Sequence, residues 1–300
     1  MAGTRDGALA RAAQHFESGA FRDDLARRIT IPTESQDPAQ AAELHRYLTE
    51  EIVPTLTPLG FTCEIFDNAD PRGGPFLVAT RHEGDELPTL LTYGHGDVVR
   101  GIPGDWREGL SPFALTVEGE RWYGRGTADN KGQHSIVIAA LREVLAERGA
   151  LGFNAKILIE MSEEVGSPGL DTFVAAHRDM LAADVFIASD GPRLMPQNAA
   201  LKLGNRGSES FDLVVRLREG SVHSGHWGGV LEDPAIMLAH AIAAIVSPRG
   251  QILVPEWLPR NVPQKVTDAL RATTLDAADP SIVIKDDWGE PGLVATEKML

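Results

Sequence analysis

Leu90-Leu91-Thr92-Tyr93-Gly94-His95-Gly96-Asp97 is a compact, apolar-rich run that stops at a glycine and is followed at once by an imidazole and a carboxylate. The run at 90–93 has the composition of a strand buried on both faces. Three more runs share its texture, at 76–80, 157–161 and 185–188, each rich in Leu, Ile or Val and bounded by charge or glycine. Between the runs at 90–93 and 157–161, residues 133–148 carry Ile136, Ala140, Val144 and Leu145 at helical spacing, and Gly149 stands where a helix stops. Strands alternating with amphipathic helices predict an α/β domain, a mixed, mostly parallel sheet flanked by helices.

The residues just past each strand point to chemistry. The run at 90–93 leads into His95 and Asp97, the run at 157–161 into Ser162-Glu163-Glu164, and the run at 185–188 into Ser189-Asp190. Ligands of open α/β sheets bind outside the carboxyl ends of the strands, so His95, Glu163, Glu164 and Asp190 are expected on one rim. Asp129 joins them from a glycine-rich loop, Gly124-Arg125-Gly126-Thr127-Ala128-Asp129-Asn130-Lys131-Gly132, that opens the helix at Gln133. Taken singly, each is an ordinary surface residue: a capped His, a solvated acidic turn. Together, one imidazole and four carboxylates on one rim oppose their own ionisation unless a cation neutralises them. A dinuclear metal site resolves the conflict. Imidazole and carboxylate ligands without thiolate suit Zn²⁺, with Mn²⁺ or Co²⁺ as substitutes, and Asp97, two residues past His95, could orient its ring.

The glycine-rich loop fits neither phosphate-binding pattern. A Walker loop needs Gly-Lys-Ser/Thr, but Lys131 precedes Gly132 here, and the third glycine of Gly-x-Gly-x-x-Gly is replaced by Asp129.

Composition narrows the partners. Of 300 residues, 28 are Lys or Arg and 43 are Asp or Glu, a formal net charge of −15, and the sequence pI is about 5.0. No dense basic block exists to track a phosphate backbone or an anionic membrane, which argues against nucleic-acid and membrane partners. A hydrophobic fraction of 43% and a charged fraction of 24% are those of an ordinary globular protein. Cys63 is the only cysteine, so an intrachain disulfide and a Cys-based zinc site are ruled out, and a reducing compartment is the expectation. Residues 1–30 mix charge with apolar residues at helical spacing and read as a surface helix, not a signal peptide. The longest apolar run elsewhere, 235–246, is interrupted by His240 and falls short of the ~20 residues of a membrane span. The chain therefore reads as soluble and cytoplasmic.

The texture changes around 192–196. Two domains are expected: residues 1–197 carrying the metal-binding residues, and residues 198–300 as a smaller, incomplete α+β unit. In the latter, Phe211, Leu213, Val215 and Leu217 alternate with Ser210, Asp212, Val214 and Arg216, the period of a one-faced strand. Helical patterns occupy 234–246 and 262–272, separated by a Pro-rich stretch at 248–263 read as a long loop.

In combination these motifs resemble the dinuclear zinc hydrolases that include aminoacylase, acetylornithine deacetylase, succinyl-diaminopimelate desuccinylase, glutamate carboxypeptidase and the carnosinase-type dipeptidases. The resemblance runs from about Thr30 to the C-terminus, through the segments at 94–99, 124–132, 162–167, 189–190 and His223-Ser224-Gly225-His226-Trp227-Gly228-Gly229. It implies that His95 and Asp190 bind one metal, Glu164 binds the other, Asp129 bridges them, and Glu163 is the general acid/base. It also implies a cis peptide after Asp129 and a small domain that acts as lid and dimer interface. Its last motif looks most like the carnosinase-type dipeptidases, where the equivalent of His223 crosses a homodimer interface to stabilise the oxyanion. The family places a further metal-binding His after the small domain. No His stands beyond His240, so the chain is expected to be truncated.

The expected function is therefore hydrolysis of an amide bond in a dipeptide or small peptide. An N-acyl amino acid deacylase would use the same residues, and a non-catalytic dimerising protein could be built on the same scaffold.

Overall fold

A computed structural model describes residues 3–191, 210–273, 275 and 282–299. The chain divides into two compact units, Met1–Pro192 and Arg193–Leu300.

The first unit is built on a five-stranded sheet. Its strands are β1 (Thr62–Phe66), β2 (Phe76–Arg81), β3 (Thr89–His95), β6 (Asn154–Glu160) and β7 (Val185–Ala188), in the spatial order β1-β2-β6-β3-β7; β4 (Thr116–Glu118) and β5 (Arg121–Tyr123) form a separate hairpin. β6, β3 and β7 pair in parallel, while β2 is antiparallel to both β1 and β6. Four strands thus point one way and β2 alone is reversed, the mixed, mostly parallel sheet expected.

Both faces of β2 and β6, in the interior of the sheet, are covered, which is why these strands read as apolar-rich runs, whereas β7 at the edge is exposed along its length. Leu77, Ala79, Ile157 and Ile159 face a core with Tyr47, Leu48, Ile52, Ile138 and Leu141. The alternate residues Phe76, Val78 and Leu158 face a second core with Phe173 and Leu181. The helices of this unit are α1 (Arg5–Glu17), α2 (Ala20–Ile29), α3 (Ala41–Arg46), α4 (Val53–Leu56), α5 (Lys131–Arg148), α6 (Leu170–Ala176) and α7 (Arg178–Leu181), with a π-helical stretch, Tyr47–Ile52, joining α3 to α4. α5 begins two residues before the expected helix and ends as expected at Gly149, whose φ of 75° suits a residue without a side chain.

Two expectations are corrected in this unit. The N-terminal segment forms two helices, not one, because Gly19 breaks it with a φ of 85°. β1 and the β4–β5 hairpin are additions to the expected strands. β1 carries polar Thr62 and Glu64 at the sheet edge, and the three-residue strands of the hairpin are too short to show a period.

The second unit contains α8 (Ser224–Trp227), α9 (Pro234–Ile245) and α10 (Gln264–Arg271). Asp233 caps α9, its carboxylate accepting the Ala235 and Ile236 N–H groups at 2.8 and 3.3 Å, and Pro234 occupies the first turn. Among the described residues, no ladder partner is assigned to the alternating segment 211–217, where a one-faced strand is expected. The Pro-rich stretch is loop apart from one 3₁₀ turn, Pro255–Trp257. The boundary expected near Asn198 lies outside the described residues. Among the described residues, no helix is long and apolar enough to cross a membrane.

Candidate metal centre

His95 ends β3, opposite Glu160 of β6, and β7 ends one residue short of Ser189-Asp190. Parallel pairing therefore delivers His95, the Glu163–Glu164 turn and Asp190 to the same rim. The stretch after His95 is clamped by the segment preceding α3. The Thr33 hydroxyl donates to the Gly96 carbonyl at 2.6 Å, and the Val98 N–H donates to the Thr33 carbonyl at 2.8 Å.

Asp129 reaches the rim from the loop before α5. That loop folds back on the helix start, with the Gly132 N–H donating to the Gly126 carbonyl at 3.0 Å. A Cβ at Gly132 would collide with the Thr127 carbonyl oxygen, so only glycine allows this closure. The Asp129–Asn130 peptide is cis.

The imidazole of His95 is fully buried. Its Nε2 lies 2.9 Å from Asp129 Oδ1, 3.8 Å from Glu163 Oε2 and 3.8 Å from Asp190 Oδ2. Its Nδ1 sits 3.0 Å from the Asp97 carbonyl oxygen and 3.3 Å from Asp97 Oδ1, which fixes Nδ1 as the protonated nitrogen and turns Nε2 outward as a ligand atom. Asp97 is itself fully buried, and its two carboxylate oxygens accept the Glu163 and Glu164 N–H groups, each at 3.1 Å. One side chain thus orients the histidine and anchors the acidic turn.

The electrostatics describe a centre short of positive charge. Burial alone would lower the pKa of His95, but the Asp97 hydrogen bond and the charges of Asp97, Glu163 and Asp129 outweigh it and push the value up to about 10. Burial raises the Glu163 carboxyl, reinforced by Asp190, Asp97 and Asp129 and opposed by His95. Burial raises Glu164 likewise, with Asp129 adding to it. Ligand atoms of His95, Asp129 and Asp190 all lie within 4.8 Å of one another. One imidazole nitrogen and carboxylate oxygens converging on a point form a donor set that fits a divalent cation of the zinc type. Glu164 is not part of this compact trio, although its backbone is held beside it. His223 belongs to the second unit, where it is exposed and caps α8, its Nδ1 accepting the Gly225 N–H at 3.0 Å.

Residues without an assigned role from sequence also shape the rim. Asn130 is fully buried and contacts His95, Gln133, His134 and Ser189. The Lys131 ammonium, with no exposure, donates to the carbonyls of Ile31 at 2.7 Å and Arg28 at 3.0 Å, and burial brings its pKa down to about 7. Glu160 accepts from the Tyr93 hydroxyl and the Ser167 hydroxyl behind the acidic turn. The available signal for Glu160 was a lone acid following the apolar run Ile157–Ile159. For Asn130 and Lys131 it was their place in the loop motif.

The profile of peptidase family M20/M25/M40 matches residues 91–293, a span that includes every candidate residue above. The chain belongs to that family. Within it, the chain is 34% identical over 184 residues to Beta-Ala-His dipeptidase of Mus musculus, covering 60% of this chain and 37% of that protein. It is 31% identical over 215 residues to Cysteinylglycine-S-conjugate dipeptidase of Corynebacterium striatum, covering 71% of this chain and 46% of that one. Human carnosine dipeptidase 1 shares the fold with a TM-score of 0.71 at 25% identity, over 91% of this chain and 59% of that chain. This M20/M25/M40 chain therefore spans less than half the length of the two curated relatives.

Proposed function

We propose that this chain carries the metal centre of a zinc-dependent hydrolase that cleaves the amide bond of a dipeptide or small peptide. The observation that carries the reading is the convergence of His95, Asp129 and Asp190 ligand atoms within 4.8 Å, with the Glu163 carboxylate 3.8 Å from His95 Nε2. His95 and Asp190 would hold one ion, Glu164 a second, and Asp129 would bridge them, with Mn²⁺ or Co²⁺ able to replace zinc. When bound, the ions would supply Lewis acidity, polarising the amide carbonyl and bringing the pKa of water from about 15.7 towards about 7.

The protein's own residues then move the proton. Glu163, assigned to neither ion, takes it from the attacking water and returns it to the leaving amine, a task suited to a carboxyl whose pKa is raised by burial. Asp97 keeps His95 in the ligating tautomer. In a homodimer formed through the second unit, which would also act as a lid, His223 of the opposite protomer would donate a hydrogen bond to the oxyanion. The dipeptidase names of the relatives favour a peptide over an N-acyl amino acid, and the single cysteine favours the cytoplasm.

The test is a substrate panel on zinc-loaded protein. Release of free amino acids from dipeptides such as β-Ala-His and Cys-Gly, abolished by a chelator and restored by zinc, is the expected result. Turnover confined to N-acetyl or N-succinyl amino acids would replace this reading with the deacylase.

A further inference from the structure

We propose that Asn130 is a positioning residue for the metal centre: its carboxamide ties together the backbones that carry His95, Asp129 and Asp190 and so sets the spacing of the ligand atoms. The proposal rests on the metal-centre reading above and goes beyond it by naming what holds three ligands from separate elements in register.

Asn130 directly follows Asp129 and has no solvent exposure. Its Oδ1 accepts the backbone N–H of His95 at 3.3 Å, and its Nδ2 donates to the carbonyl of Ser189, the residue before Asp190, at 2.7 Å. The remaining capacity is also used. Oδ1 faces His134 Nδ1 at 3.3 Å, and Nδ2 donates to Gln133 Oε1 at 2.8 Å. A carboxamide offers two acceptor sites and two donor hydrogens, and here all four are engaged. The partners also fix its orientation, because a backbone N–H can only donate and a backbone carbonyl can only accept.

β3 and β7 are adjacent strands, yet their ladder ends at Tyr93 and Ala188, before either ligand. Beyond that point His95 and Asp190 have left the ladder pairing of the two strands, and the Asn130 side chain spans the gap. The approach is close enough to explain Gly94: a Cβ there would lie 2.8 Å from Asn130 Oδ1 and 2.9 Å from the Cβ of His134. Aspartate is nearly isosteric but has no donor for the Ser189 carbonyl, so Asn130→Asp removes half the strut with little change in volume.

The experiment titrates metal-free protein with zinc against a chromophoric chelator and monitors thermal unfolding in parallel. Native protein is expected to take up zinc, and Asn130→Asp to bind it about 10- to 100-fold more weakly, the range for loss of a partner that orients metal ligands. The visible absorption of the cobalt-loaded variant should shift as the ligand geometry changes. Tyr47→Phe serves as the contrast, since it removes the Tyr47–His134 hydrogen bond but leaves all four partners of the carboxamide in place. It should lower thermal stability while keeping zinc affinity within about 3-fold, less than the loss of one neutral hydrogen bond can cost. Should Asn130→Asp fail to fold, Gln133→Leu, which removes one acceptor of the carboxamide, is expected to bind zinc about 2- to 10-fold more weakly.

Native-like zinc affinity in Asn130→Asp, or in Gln133→Leu where the former does not fold, would overturn the proposal. So would losses of affinity that merely track losses of stability across the variants. A native chain that takes up no zinc would instead remove the metal-centre reading, and this proposal with it.

Discussion

Asp97 Oδ1 accepts the backbone N–H of Glu163 at 3.1 Å, so the residue two places after the buried histidine holds the acidic turn. Its other oxygen accepts the Glu164 N–H, and the same carboxylate faces His95 Nδ1 at 3.3 Å. Asp97→Asn would turn an amino group towards one of these N–H donors and leave it unpartnered in a buried site. The expected cost is about 1–3 kcal/mol of stability, together with about a 10- to 100-fold loss of turnover. Chemical denaturation and steady-state kinetics measure the two.

Glu163 and Glu164 are neighbours with different assignments. Glu163→Gln should retain bound zinc while turnover falls by about 10²- to 10⁴-fold, the contribution of a positioned acid/base. Glu164→Gln should lose metal instead. Elemental analysis beside a peptide-hydrolysis assay separates them, and equal metal loss in both would contradict the division of roles.

Gly132 closes the loop that presents Asp129. In Gly132→Ala the new Cβ would collide with the Thr127 carbonyl, and the loop must open. Overpacking of this kind costs about 1–3 kcal/mol. The variant should therefore melt earlier than native protein and also bind zinc more weakly, because Asp129 moves with the loop.

Away from the centre, Glu83 provides a pH-dependent contribution. Burial would raise its carboxyl, but the Leu151 and Gly152 N–H groups, at 2.9 and 2.8 Å, and Arg81, at 2.8 Å, outweigh it and hold the pKa below the ordinary 4.5. A depressed folded-state pKa gives stability that is present above pH 4.5 and is lost as pH falls through the lowered value. Glu83→Gln should be less stable than native protein by about 1–3 kcal/mol at pH 7. Denaturation series from pH 7 to pH 3 should show that difference shrinking as pH falls below 4.5. A difference independent of pH would contradict the assignment.

The strands that build the rim were legible as apolar-rich runs bounded by glycine and charge, a texture that β6 owes to burial and that β7 shows although its residues are exposed. The convergence of His95 and Asp190 was legible because parallel strands put their carboxyl ends on one side, whatever their separation in sequence, while Asp129 joins them from the glycine-rich loop before α5. Residues that act through backbone atoms were not legible. Asn130 touches the N–H of His95 and the carbonyl of Ser189, and a backbone group leaves no trace in the identity of its residue. β1 was hidden by Thr62 and Glu64, which an edge strand tolerates and a buried run excludes.

Zinc content per chain tests the central claim most directly. Protein prepared metal-free, exposed to trace zinc, desalted and analysed by elemental mass spectrometry should retain close to two ions per native chain. Asp129→Ala, lacking the bridging carboxylate, should retain almost none. A native chain that holds no more zinc than Asp129→Ala would contradict the assignment of this rim as a metal centre.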